Sequence, residues 1–406
     1  MLFSFNHLSS SVKQYLLITA NYWAFTLTDG ALRMLILLYF HQLGYSPFEL
    51  ATLFIFYEVF GVITNLVGGW FGARLGLNKT MNIGLGLQVI ALSMLLIPSD
   101  SLTVFWVMLT QALSGVAKDL NKMSAKSAIK LLVPKNARGK LFKWIALLTG
   151  SKNSLKGIGF FLGGFLLVKL EFRGAILLMA GLLLLVWIIS LLSLKENLGK
   201  AKSNSKFSQL FSKSKSINLL SAARLFLFAS RDVWFVVALP VYLVTNFDWS
   251  HTSVGAFLAV WIIGYGLVQS ITPKLINLTG SSTAEASPNN KSVSFWGIAL
   301  SVVPFIIALM MSLDFSTKLV LISGLLVFGI VFAINSAIHS FLIVDYASAQ
   351  GVSMDVGFYY MANAMGRLFG TLLSGWLFQA YGIETCLVVS GCFVLIASFF
   401  AWLIEN

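Results

Sequence analysis

The sequence predicts an all-α membrane protein, with twelve transmembrane helices arranged as two pseudo-symmetric six-helix halves. Three observations carry this expectation. Of the 406 residues, 58% are hydrophobic and only 11% charged, and the mean hydropathy is +0.85; so much apolar surface cannot be kept from water in a soluble fold. The apolar residues fall into repeated stretches separated by short polar breaks, and a helix needs about 20 of them to cross a hydrocarbon layer ~30 Å thick. Finally, the longest hydrophilic break, Lys195 to Ser216, lies near the middle of the chain.

Between Met1 and Lys13 no basic region leads into a short apolar core, so no removable signal peptide is expected and the first span, 14–40, anchors itself. It carries Asp29 and Arg33, spaced to share a helical face and pair. The second span, 50–71, holds Glu58, and the third covers 81–98. At the end of the fourth, 102–123, Lys118, Lys122, Lys126 and Lys130 recur every fourth residue as one stripe, with Asp119 and Asn121 beside it. Lys118 reaches into the membrane, whereas Lys126 and Lys130 read as anchors at the headgroup level. The fifth span, 141–168, places Lys152, Asn153 and Lys156 ~17–23 Å past its start. After the sixth, 172–194, comes a Lys- and Ser-rich linker, 195–218, which divides the chain into halves at 1–194 and 219–406.

The seventh span, 219–244, has Arg231 and Asp232 near its middle. Spans at 252–272, 294–312 and 318–344 follow, and the eleventh, 354–378, places Arg367 at mid-span, one turn from Asn363. Cys386 and Cys392 both fall in the twelfth, 384–404, on different helical faces, where they read as packing thiols rather than a disulfide or metal site.

The net charge of +13 does not indicate nucleic acid, which would need a compact soluble basic surface. Lys and Arg instead gather in the loops on one side, from Lys13, Arg74 and Lys79 to the linker, while the opposite loops hold only Lys169, Arg173 and Lys318. That asymmetry puts both termini in the cytoplasm. The four histidines lack metal-ligand spacing and no phosphate-binding glycine loop follows a strand, so no metal, cofactor or ATPase site is expected.

The halves share weak internal symmetry. Asp29 and Tyr39 recur as Asp232 and Tyr242, and Gly159-Phe-Phe-Leu-Gly-Gly164-Phe165 aligns with Gly370-Thr-Leu-Leu-Ser-Gly375-Trp376. The second register superposes Lys156 on Arg367 and Lys152 on Asn363. Repeated halves with matched polar positions are the mark of a transporter with a midplane site.

An ionised side chain near the bilayer centre costs ~2.5–3.5 kcal/mol, so such residues face a partner, water or cargo. The functional reading is a path to an anion site built from Arg33, Lys118, Lys122, Lys152, Asn153, Lys156, Arg231, Asn363 and Arg367. Guanidinium forks grip phosphate-like or carboxylate groups there and lysines add point charges. Arg231 with Asp232 reads also as a structural ion pair. Asp29, Glu58 and Asp232 are either proton carriers or counter-ions.

Two resemblances sharpen this reading. The loop Gly69-Trp-Phe-Gly72-Ala73-Arg74-Leu75-Gly76-Leu77-Asn78-Lys79, with Pro134 and Arg138-Gly139 later, resembles the glycine-rich basic loops of the major facilitator superfamily, with Ala73 where its acidic residue usually stands. The segments Tyr15 to Arg33, Ala112 to Lys130, Leu148 to Lys156 and Arg224 to Trp234 resemble the ArsJ-type organoarsenical efflux permeases over essentially the whole chain. That resemblance implies the major facilitator fold in a bacterial inner membrane and export of 1-arseno-3-phosphoglycerate. Glyceraldehyde-3-phosphate dehydrogenase, the functional partner it implies, makes this ester when arsenate replaces phosphate; outside, it falls apart to arsenate and 3-phosphoglycerate. The resemblance assigns no binding residues. Alternatives are a transporter or exchanger of ordinary organophosphates or phosphate and, from another class, a non-transporting membrane sensor.

Overall fold

The computed structural model describes residues 10–44, 53–98, 101–134, 137–194, 198, 214–249, 251–279, 288–313, 315–348 and 351–404. Most of the basic linker, at 195–197 and 199–213, lies outside the described residues. All regular structure among the described residues is helical.

Helices α1 (Ser10–Gln42), α2 (Ile55–Leu75), α3 (Leu77–Met94) and α4 (Val104–Leu132) come first. Gly76 alone separates α2 from α3. Its φ of 95° is open to glycine and strained for other residues, so the chain turns in one residue and α3 starts at Leu77 rather than at 81. Thr103 caps α4 by accepting from the Trp106 N–H at 3.2 Å. This helix runs on to Leu132, well past the expected end at 123, because its lysines find partners inside the protein.

Helix α5 (Arg138–Ser193) covers the fifth and sixth spans and breaks between them at Glu171 (φ 56°, ψ −180°). The seventh span is not continuous: α6 (Lys215–Phe235) stops and α7 (Ala238–Phe247) resumes. Pro240 offers no N–H and its ring crowds the carbonyl four residues back, at Val236, which accounts for the interruption. The backbone N–H of Ala238 donates instead to Ser374 Oγ at 3.0 Å. Helices α8 (His251–Thr279), α9 (Asn290–Ser312), α10 (Thr317–Tyr346) and α11 (Val352–Trp402) complete the chain. Helix α11 breaks at Gly382 (φ 83°, ψ −179°). Glu171 and Gly382 stand at the same offset as Gly159 and Gly370, so the repeat register read from glycines recurs in the backbone breaks.

Among the described residues, eight helices are long and apolar enough to cross a membrane, with α5 and α11 each counted whole and α6 with α7 counted as one. Large apolar side chains such as Phe161, Val168, Leu319 and Trp402 are exposed, which suits lipid rather than water. The protein is a multi-pass membrane protein.

The chain forms two compact units. One comprises Met1–Trp144, Ser151–Ser212 and Ala347–Met361. Within it a buried relay ties α1 to α5 and α3: Asn21 donates to Ser190 Oγ (2.8 Å), which donates to Asn82 Oδ1 (2.6 Å). Gly159 of α5 lies so close to α1 that a Cβ there would stand 2.7 Å from the Leu27 carbonyl oxygen. Gly69 of α2 meets the start of α11, where Ser353 Oγ donates to its carbonyl at 2.8 Å.

The other unit comprises Ile145–Gly150, Lys213–Tyr346 and Ala362–Asn406. Its core gathers Trp234, Trp261, Phe328 and Phe332, and Trp261 Nε1 donates to the Leu325 carbonyl at 2.9 Å. Here Gly370 repeats the role of Gly159: a Cβ there would stand 2.8 Å from the Ala229 carbonyl oxygen of α6. The two seams agree to within one residue of the register that superposes Asp29 on Asp232. Of the two thiols expected in packing, Cys386 is buried and Cys392 is exposed, since a six-residue spacing on one helix leaves them on different faces.

Candidate functional site

In the first unit the site grows from α4, where Lys118, Lys122 and Lys126 follow one another at four-residue steps along one face. Between the first two lies the Asp119 carboxylate, 1% exposed, 3.4 Å from the Lys118 ammonium and hydrogen-bonded to Lys122. The Lys118 ammonium stands 3.9 Å from the centre of the Tyr57 ring, and the Arg33 guanidinium 4.4 Å from the same ring. Lys122 and Lys126 lie 4.6 and 4.7 Å from the ring of Tyr360, whose hydroxyl accepts from Lys126. Each tyrosine therefore holds two cations at its ring, where the π-quadrupole offsets part of their desolvation cost.

Arg33 closes the other end by pairing with Glu58 at 2.9 Å. Asp29 is not its partner, contrary to the four-residue spacing: the Tyr57 hydroxyl donates to both Asp29 oxygens, at 2.8 and 3.0 Å. Consecutive residues of α2 thus offer a donor to the acid and an acceptor to the base of α1. The result is a continuous ladder, Glu58, Arg33, Tyr57, Lys118, Asp119, Lys122, Tyr360, Lys126, in which two tyrosine rings join three groups of charges.

Lys126 is buried, so it is not the headgroup anchor its place in the stripe indicated; Tyr360 takes it up from the start of α11. Lys130, one turn on, is half-buried. On α5, Lys152, Asn153 and Lys156 are also half-buried. Lys152 donates to Asn153 Oδ1 at 3.3 Å, and the Lys156 ammonium stands 5.7 Å from the Phe160 ring.

In the second unit Asp232 of α6, 1% exposed, lies between two guanidinium groups. Arg231 Nε donates to it at 2.6 Å and Arg367 Nε from α11 at 3.3 Å. Asn363 does not join that pair. It accepts at 2.8 Å from Nε of Arg224, a buried residue that also donates to Ser336 Oγ at 3.0 Å and stacks 4.0 Å from the Phe228 ring. Tyr265 donates to Ser336 at 3.0 Å and receives from Gln269 at 2.8 Å.

Each unit therefore presents an aspartate flanked by two cations, an excess of positive charge that suits an oxyanion. Among the described residues no group of three or more His, Cys, Asp or Glu side chains is placed to hold a metal ion.

The sequence profile of the Major Facilitator Superfamily matches residues 16–284 and again 220–406. This chain belongs to the major facilitator superfamily. As a member of that superfamily it is a transporter rather than an enzyme. Among curated proteins none matches the sequence. Solved structures resemble its fold. The human organic anion transporter MFSD10 (TETRAN) has a TM-score of 0.77 at 16% identity, with 97% of this chain and 100% of that one covered. The Escherichia coli fucose:proton symporter FucP gives 0.73 at 13%, covering 98% and 100%. A bacterial homologue of the iron transporter ferroportin gives 0.71 at 14%, covering 95% and 98%. At these identities the likeness is one of fold.

Arg224, Tyr57 and Tyr360 join the site without having been singled out by the sequence, as does Asp119 as a partner of the lysines. Arg224 sits near the basic linker at the start of the seventh span, where a cation reads as part of the charge asymmetry that sets orientation. Tyr57 and Tyr360 carried no signal of their own in a chain that is 14% aromatic. The four-residue lysine stripe was the usable clue to Tyr360, because a buried lysine needs an acceptor.

Proposed function

We propose that this major facilitator transporter is a secondary exporter of a small organic polyanion, 1-arseno-3-phosphoglycerate, and confers arsenate resistance by alternating access. The observation that carries the reading is the ladder of Arg33, Lys118, Lys122 and Lys126 on two tyrosines, which concentrates cations at membrane depth. Lys152, Lys156, Arg231, Arg367 and Arg224 add to it, and the resemblance to the ArsJ-type permeases turns a polyanion into this ester. In this reading the chain crosses twelve times in two six-helix halves, at 1–194 and 219–406 joined by the 195–218 linker, and the basic loops on one side argue for both termini in the cytoplasm of a bacterial inner membrane. Glyceraldehyde-3-phosphate dehydrogenase supplies the cargo from within.

A second reading, transport or exchange of ordinary organophosphates or phosphate, is favoured by the same cations, since arsenate and phosphate present equivalent oxygens to lysine and arginine. Expression in an arsenate-sensitised host tests the first. Resistance is expected with the wild type and lost with Lys152→Gln, Lys156→Gln or Arg367→Gln at unchanged abundance. Wild-type protein that accumulates without conferring resistance contradicts the arsenical cargo, and fully resistant variants contradict the site.

A further inference from the structure

We propose that Asp119 and Asp232 are resident anions: each holds a pair of cations that an oxyanion cargo takes over on binding. The proposal deepens the anion-export reading and rests on it.

The two units present the same arrangement on different helices. Asp119 lies between Lys118 and Lys122, and Asp232 between Arg231 and Arg367. Both aspartate side chains are 1% exposed, whereas the four cations keep 15–31% of theirs accessible. A solute reaching either cluster meets the cations first and the carboxylate lies behind them. The contacts of each carboxylate are also unequal. Among the described residues Asp119 Oδ2 accepts no hydrogen bond and faces the Lys118 ammonium across 3.4 Å, and the Arg367 Nε contact to Asp232 Oδ2 is longer, at 3.3 Å, than the Arg231 Nε contact to Oδ1, at 2.6 Å.

Lys118 and Lys122 share a helical face, and two uncompensated like charges there repel; the aspartate supplies the counter-charge that membrane depth demands. When a phosphate or arsenate group arrives, it competes for the same N–H donors. Binding is weakened by the interactions the carboxylate gives up, and release is assisted as the carboxylate takes them back. The aspartates thus set affinity against turnover and act on cargo only through the cations.

The test uses the purified full-length transporter with 3-phosphoglycerate and inorganic arsenate, the two parts of the ester, as probes. Asp119→Asn and Asp232→Asn, which remove the competing charge at constant shape, are expected to tighten binding about tenfold and to slow turnover in proteoliposomes by a similar factor. Asp119→Glu and Asp232→Glu keep the charge and are expected to recover part of the turnover that the Asn variants lose. Folded Asn variants whose affinity is unchanged or weaker overturn the proposal. A wild type that binds neither probe overturns the anion reading beneath it instead. If the Asn variants fail to accumulate, infrared difference spectra of the wild type decide the matter: adding 3-phosphoglycerate should shift a carboxylate stretch, and an unshifted band overturns the proposal.

Discussion

Lys126 and Tyr360, 234 positions apart, meet inside the first unit, where the ammonium donates to the phenol and lies 4.7 Å from its ring. A lysine at the end of an apolar span is thereby turned from lipid toward the protein interior. Lys126→Gln is expected to cut transport at least about tenfold, the scale of one charge-assisted hydrogen bond. Reporter fusions at the termini should show unchanged orientation. A headgroup anchor would give the opposite pattern, altered orientation with little loss of transport.

Arg33 and Glu58 form the partly exposed end of the same ladder, with 21% and 32% of their side chains accessible. Solvent screening reduces what the pair contributes, so Glu58→Gln is expected to cost only about 1 kcal/mol, read as a lower Tm in detergent. The exchanged double variant Arg33→Glu with Glu58→Arg should recover part of that loss. Asp29→Asn acts on Arg33 through the Tyr57 they share, so a double-mutant cycle should show coupling between the two, smaller than that between Arg33 and Glu58.

Gly366 fits against α6 so closely that a Cβ would overlap the Leu225 carbonyl, while Gly375 has nothing within 4 Å of its added Cβ. Gly366→Leu is expected to destabilise the second unit by about 1–3 kcal/mol, seen as lost abundance and early thermal aggregation. Gly375→Ala should behave as the wild type.

Arg224 is held by Asn363 and Ser336 through a planar fork. Lysine cannot reproduce that geometry, so Arg224→Lys is expected to impair transport nearly as much as Arg224→Gln. Transport rates normalised to membrane abundance check this, and full rescue by lysine would mean that charge alone matters at this position.

The all-helical, multi-pass character, the charges inside the helices and the offset that recurs at Glu171 and Gly382 were legible in the sequence because they depend on hydropathy and on spacing within one helix. What was not legible is which helices face each other and at what rotation. Hence Asp29 and Arg33, correctly spaced to pair, bind Tyr57 and Glu58 instead. Arg367 has no acid in its own neighbourhood of α11, yet it reaches Asp232 across a seam set by Gly370 against Ala229. The break before Pro240 was legible in principle, but a hydropathy window averages over it.

The cations inside the spanning helices carry an anion, and the most direct test of this is uptake by inside-out membrane vesicles supplied with glyceraldehyde-3-phosphate, NAD, arsenate and the dehydrogenase, so that the cargo forms outside the vesicles. The expected result is equimolar accumulation of arsenate and 3-phosphoglycerate inside, lost with Lys118→Gln or Arg367→Gln. Undiminished accumulation in those variants, or none in wild-type vesicles that transport a neutral or cationic solute instead, would contradict it.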